Sequence, residues 1–289
     1  MEKYHNKMKE ILLNNNVPNI VLNCDLEEFS KIFHENIITD EFKFYRYVKA
    51  DYFNIRSFET EKLYFSMNGK MNDVFEGIPY VHEQLSEEKY NALHDLMFMK
   101  CFSETNQSNI MWSHYADEYR GICIEYDFNM IKQNDDILSH FFPVVYCENR
   151  HINVDIEELL EEKKIFAIDV FHDGTAENLA WLTDLNSLFL IKGEEWSYEK
   201  EWRLLYDKYT LYKEYKDITN YNIPFEYATG VYLGYRTPKM VKKHIWEITE
   251  RINVKRKEKC KQGIDVYISK FNDRKFKIEF EKVEKENDL

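Results

Sequence analysis

Two glutamates and an arginine occupy alternate positions in Trp196–Arg203, WSYEKEWR. On a strand of period two, Glu199, Glu201 and Arg203 share one face, while Lys200, Trp202 and Leu204 take the other. A carboxylate pair beside a guanidinium can stabilise a developing positive charge or move a proton. An ordinary buried strand avoids such a face, because desolvating an unpaired carboxylate is costly. This face is therefore either solvated or part of a site, with Trp202 anchoring the core behind it.

Three further segments carry polar groups that could join it. In FYRY, Phe44–Tyr47, Arg46 falls on the face of Phe42 and Phe44. It reads first as a structural ion-pair partner and second as a pocket cation, whose planar fork suits phosphate or carboxylate. KMNDVFEG, Lys70–Gly77, supplies Asn72, Asp73 and Glu76. An Asx turn is the plainer reading, and a loop closing over a ligand is the functional one. Asp73 and Glu76 alone give too few ligands for a metal. MKCFSE, Met99–Glu104, puts Ser103 on the face of Cys101. MWSHYAD, Met111–Asp117, sets Trp112 and Tyr115 three apart on a helix, next to His114. These rings either stack on a planar ligand or staple a short helix to a sheet.

The elements that must position these groups alternate irregularly. Residues 1–40 read as two helices, Tyr4–Leu13 and Asp25–Asn36, forming an N-terminal appendage or a cap on the main domain. Residues 41–289 read as a single α+β domain. Short strands are expected at Phe42–Val48, Leu63–Ser66, Met99–Ser103, Gly121–Asp127, Phe141–Tyr146 and Gly230–Leu233, with closing strands at Ile264–Ile268 and Phe276–Val283. Helices are expected at Ser86–Met97, Asn109–Tyr115, Asp155–Leu190 and Pro238–Asn253. This interleaving predicts a mixed or largely antiparallel sheet with surrounding helices.

Composition narrows the function classes. The chain has 289 residues, 44% of them hydrophobic, including 20 Phe and 21 Tyr, so it can bury a large core. Its formal net charge of −13 repels nucleic-acid phosphate at long range. The densest basic run, KRKEKCK at Lys255–Lys261, reads as a solvated helix end. Five widely spaced cysteines without a CxxC pair exclude a zinc ribbon, and neither a disulfide nor a metal is expected. With a charged N-terminus and no apolar run of about 18 residues, a cytoplasmic protein without a membrane partner is expected. Glycine-rich nucleotide loops, HExxH and GxSxG are all missing from the sequence, which leaves kinases, dehydrogenases, zincins and α/β-hydrolases without motif support.

The ordered set FYRY, LYFS, NDVFEG, CFSE, MWSHYADEYRGICIEYD, VVYCENR and WSYEKEWRLL resembles a bacterial domain-of-unknown-function family over roughly Phe42–Gly234. A more distant likeness is to the ADP-ribosyltransferases, with their arginine–serine–glutamate pattern, although CFSE here departs from Ser-Thr-Ser. That likeness implies an ADP-ribosyltransferase-like core with NAD as substrate. Arg46 would contact the NAD phosphate or ribose and Ser103 would brace the site. Glu201 would face the reacting ribose, and Glu199 would orient or deprotonate an acceptor, protein or nucleic acid. Tyr47, Ser66, Asn72, Asp73, Trp112, His114, Tyr115 and Arg203 complete the ligand-contacting set. A toxin or anti-phage effector is the role such a family suggests. The rivals are a non-enzymatic protein-interaction module and a metal-dependent nuclease built from Asp73, Glu76, Glu199 and Glu201.

Overall fold

Alternation of aromatic and polar residues sets up the first strand. Phe42 and Phe44 are fully buried on one pleat, while Tyr45 and Tyr47 point to the opposite side of the sheet. The computed structural model describes residues 1–13, 29, 33, 41–67, 72, 73, 75, 97–131, 136–148, 189–207 and 222–289. Most of the expected helices Asp25–Asn36, Ser86–Met97 and Asp155–Leu190 lie outside these residues.

Helix α1 spans Glu2–Leu13, followed by β1 (Lys43–Val48), α2 (Tyr52–Glu59), β2 (Lys62–Tyr64), β3 (Ser66–Met67) and β4 (Met97–Ser103). Then come α3 (Asn109–His114), β5 (Ile122–Asp127), β6 (Phe141–Pro143), β7 (Val145–Cys147), β8 (Ile191–Gly193) and β9 (Glu201–Asp207). The chain closes with β10 (Asn222–Pro224), β11 (Ala228–Leu233), α4 (Lys239–Glu258), β12 (Asp265–Phe271) and β13 (Ile278–Lys282). Among the described residues, nine strands form one sheet in the order β13-β12-β11-β5-β1-β4-β9-β6, with β3 also pairing to β4. Only β11 and β12 run parallel within it; the α+β class with a mixed, mostly antiparallel sheet is what the chain forms.

The core fills the pleat that carries Phe44 and Trp202. Trp202 has no exposed surface and packs against Tyr4 of α1, Phe33, Phe44 and Phe141, with centroids 5.1–5.9 Å away. Tyr4 and Met8 are buried, so α1 packs on the sheet rather than standing off it. Ile245, Ile248 and Ile252 put one stripe of α4 into the same core.

Three expectations are corrected. Strand β9 begins at Glu201, because Glu194–Glu199 coils into a 3-10 turn and Lys200 takes a left-handed conformation with φ 45°. The expected strand Phe141–Tyr146 breaks at Val144, its first half joining the large sheet and its second pairing with β8. Helix α4 continues to Glu258, and the basic run is not wholly solvated. Arg256 is buried, its guanidinium donating to Glu61 and to the carbonyls of Ala228, Glu226 and Gln262.

Candidate functional site

The β1–β4 pairing is where the sheet opens. β1 makes six register pairs with β5, and β4 makes seven with β9, yet β1 and β4 share only Tyr45↔Ser103. Along the same edge, β4 hands Phe98 and Met99 to β3. Lys100–Phe102 and Arg46–Val48 are thus left facing one another without ladder pairs. A cavity of about 250 Å³ occupies this split, lined by Tyr45, Arg46, Tyr47, Asn72, Ser103, Tyr115, Lys192, Glu199 and Glu201 together with Cys101, Phe102 and Met111.

Register places Tyr45, Ser103 and Glu201 in one row across three strands, all on the pleat opposite Trp202. Glu201 is 4% exposed. Arg203, two residues on, is wholly buried beneath it and forks onto its carboxylate, Nε to Oε1 at 2.8 Å and Nη2 to Oε2 at 2.9 Å. The remaining Nη1 donates to the Phe189 carbonyl at 2.5 Å. The Tyr146 hydroxyl accepts the Glu201 N–H at 2.8 Å.

Glu199 reaches the same place from another element. The left-handed Lys200 turns the chain between the 3-10 turn and β9, so both carboxylates converge on Lys192 of β8. The Lys192 Nζ donates to Glu199 Oε2 at 2.6 Å and to Glu201 Oε2 at 3.1 Å. The Tyr115 hydroxyl donates to the other Glu199 oxygen. Ser103 Oγ, 1% exposed, donates to the Glu199 carbonyl at 2.7 Å and fixes the turn on the end of β4.

Burial pushes the Glu201 carboxyl up to about 7, against the pull of Lys192. The Arg203 fork adds to that pull, since a bidentate guanidinium favours the ionised form. For Lys192, burial opposes the charge, but the two carboxylates outweigh it and hold the ammonium above its ordinary pKa. Burial and the neighbouring Glu199 raise the Tyr115 phenol, keeping it a donor. Burial likewise drives the Cys101 thiol well up, so it lines the cavity as an unreactive group.

Helix α3 holds Tyr115 in place through the segment behind it. Asp117, Glu118 and Tyr119 are all left-handed, with φ 49°, 51° and 70°, and fold the chain back over the sheet. Gly121 permits this, because a Cβ there would stand 2.2 Å from the Val48 carbonyl. Trp112 is enclosed, stacked on Tyr119 and donating its indole N–H to Asn106 O, so it staples the helix and does not reach the cavity. His114 is exposed beside Tyr198 and points elsewhere. Asp73 is buried and caps the Phe75 N–H, the turn geometry its sequence suggested. Ser66 pairs with Met99 through β3.

Most of the sequence candidates therefore border one cavity: Arg46, Tyr47, Asn72, Ser103, Tyr115, Glu199 and Glu201, with Arg203 directly under it. Arg46 belongs to the Phe44 pleat and reaches the cavity only because the ladder is open beside it. Lys192, Tyr45 and Tyr146 were not among the candidates. A lone lysine inside the apolar run FLIKG was the available signal for Lys192.

Residues 111–204 match the family described as Protein of unknown function (DUF2971). The resemblance to a domain-of-unknown-function family is thereby shown. The matched segment contains Tyr115, Lys192, Glu199 and Glu201 of the cavity lining, together with Arg203 and Tyr146, which hold Glu201; Tyr45, Arg46, Tyr47, Asn72 and Ser103 lie before it. No curated protein and no solved structure matches the chain. No described helix is long and apolar enough to cross a membrane.

Proposed function

We propose that the cavity binds a nucleotide of the NAD class and cleaves its N-glycosidic bond, as an NAD glycohydrolase or ADP-ribosyltransferase. The observation that supports this most is the pair of buried carboxylates, Glu199 and Glu201, converging on Lys192 at the wall of a cavity. Breaking the ribose–nicotinamide bond sends its electron pair to the pyridinium nitrogen and leaves positive charge on the ribose. Fixed carboxylates in a water-poor pocket stabilise that charge, as they do in glycosidases. Water or an acceptor hydroxyl then bonds to the sugar carbon and passes its proton to the Glu199 carboxylate.

The surroundings of the two glutamates divide the labour, in the reverse of the order the ADP-ribosyltransferase resemblance implies. Glu201 is bound by two cations, the Arg203 fork and Lys192, so its lone pairs are largely committed. Glu199 meets one cation and one phenol. In this reading Glu199 is the catalytic residue that faces the ribose, while Glu201 and Arg203 position Lys192 and the turn. A nuclease metal has less support: the place between the carboxylates where a divalent cation would sit is held by the Lys192 ammonium.

Nicotinamide release from NAD, with calorimetry alongside, tests the reading. Wild type releases nicotinamide, and Glu199→Gln loses about 10²–10⁴-fold in kcat while still binding NAD. Absence of NAD binding at millimolar ligand would discard the proposal in favour of a protein-interaction surface.

A further inference from the structure

Helix α1 reaches the back of the site through one side chain. His5 places its Nδ1 2.9 Å from the Val144 carbonyl oxygen and its Nε2 2.8 Å from Glu104 Oε1. Neither partner can donate. A carbonyl only accepts, and the Glu104 carboxyl is ionised at neutral pH: burial raises it, but hydrogen bonds from His5 and the Trp202 indole outweigh that and lower it. Both ring nitrogens must therefore carry a proton, so the ring in this position is an imidazolium.

The two acceptors belong to the segments that enclose the turn between the glutamates. The Glu104 N–H donates to the Lys200 carbonyl at 3.1 Å, and the Val144 N–H donates to the Glu201 carbonyl at 2.9 Å. Ser103, next to Glu104, holds the Glu199 carbonyl, and Tyr146, just after Val144, takes the Glu201 N–H. His5 thus ties together the two strips of backbone that grip residues 199–201 from either side. The ring is not sealed: it borders a cleft of about 360 Å³, through which bulk protons reach it. Around it stand Glu2 and Lys9 of α1, Glu104, Tyr146 of β7 and Lys200 of the turn, with the Met1 amine acting on Glu104. Lys200 lines this cleft while Glu199 and Glu201 line the cavity, so the turn is the wall between the two.

We infer that His5 is a positioning residue for the Glu199–Glu201 turn and that loss of its proton loosens the site, an inference that rests on the reading of the two glutamates above. Protonated, His5 holds both segments against Lys200 and Glu201, and the carboxylates converge on Lys192. A neutral imidazole has one N–H and one lone pair, and a lone pair set against either oxygen repels it. One of the two ties then opens as pH rises, and the turn loses its backing on that side. The site is assembled while His5 is charged.

Nitrogen NMR of the histidine rings, read beside amide hydrogen exchange across a pH series, tests the clamp in wild type without any turnover. His5→Phe identifies the His5 signals by their loss and removes both ties while keeping a ring against Trp202. His5→Gln stands in if the phenylalanine variant does not melt cooperatively. At the acid end of the series both His5 nitrogens are protonated. As the ring loses its proton, protection of the Glu104 and Val144 amides, corrected for base catalysis, falls about tenfold, while that of β5 holds. His5→Phe shows the lowered protection at every pH, releases nicotinamide about tenfold more slowly and binds NAD with wild-type affinity. A ring protonated on one nitrogen throughout, or protection at Glu104 and Val144 that ignores the state of the ring, overturns the clamp. Protection that follows the ring in a protein without nicotinamide release keeps the clamp and removes the glycosidic reading. Release with kcat equal in wild type and His5→Phe keeps that reading and removes the clamp.

Discussion

The Arg203 guanidinium engages both oxygens of the Glu201 carboxylate, two residues before it on the same face of β9. A next-but-one pair on a strand is close enough for this only when both side chains lean along the strand. Here the Phe189 carbonyl holds the far end of the arginine in that attitude. The fork fixes one carboxylate of the cavity wall, and Lys192 transmits that fixity to Glu199.

Removing Arg203 should therefore cost far more than removing the pair. Arg203→Met leaves a buried carboxylate with one cation and should destabilise by about 3–5 kcal/mol. Adding Glu201→Gln in the same molecule should recover a large part of that loss. Urea denaturation of the two single variants and the double variant gives the coupling directly, and simple additivity would contradict the fork's role.

Trp202→Ala should lose about 3–5 kcal/mol, because its indole is enclosed by rings from α1, β1 and β6. Glu199→Gln, on the opposite side of the sheet, should keep a near-native melt. Thermal denaturation with the reverse ranking would reject this placement of the two faces.

Glu104 should give the protein an acid limb. Burial raises its carboxyl, but hydrogen bonds from His5 and from the Trp202 indole outweigh that, so its folded pKa is lowered. The stability it contributes is present above the ordinary carboxylate value of about 4.3 and is lost as pH falls through the lowered folded value. Glu104→Gln should lower stability at pH 7 by about 1 kcal/mol, with the difference from wild type closing in acid. Melts taken at stepped pH read this out.

Tyr47→Phe should destabilise by about 1 kcal/mol without changing the fold. Its hydroxyl donates to the Thr105 carbonyl at 2.7 Å and accepts the Ser108 N–H, tying the loop before α3 to β1. Hydrogen exchange should show faster opening at Ser108 and Met111 in the variant, and unchanged rates there would refute the tie.

The faces of β1 and of β9 from Glu201 onward were legible in the chain, because alternation of large aromatic and polar residues leaves one register that buries the rings. Glu199 was assigned to the right cluster through the wrong backbone. Nothing in its sequence marks Lys200 as left-handed, a conformation that lysine adopts rarely. Lys192 comes from a strand of a separate two-stranded sheet, so no local pattern links it to the glutamates. The split between β1 and β4 depends on pairing between segments far apart in the chain, which periodicity does not encode. Trp112 was drawn into the candidate set by its neighbours, although a large ring on a short helix has stronger reason to be buried.

The order of strands in the sheet also sets a schedule for synthesis. β5 lies between β1 and β11, and β11 is translated last of the three. At about 5–20 residues per second, on the order of ten seconds separates the emergence of β5 from that of its second neighbour. Through that interval the part of the sheet already translated, β5-β1-β4, leaves the β5 edge bare beside an oily side, the kind of surface that invites aggregation. Folding yield in a cell-free system should accordingly respond more to translation speed across residues 128–227 than to the speed elsewhere.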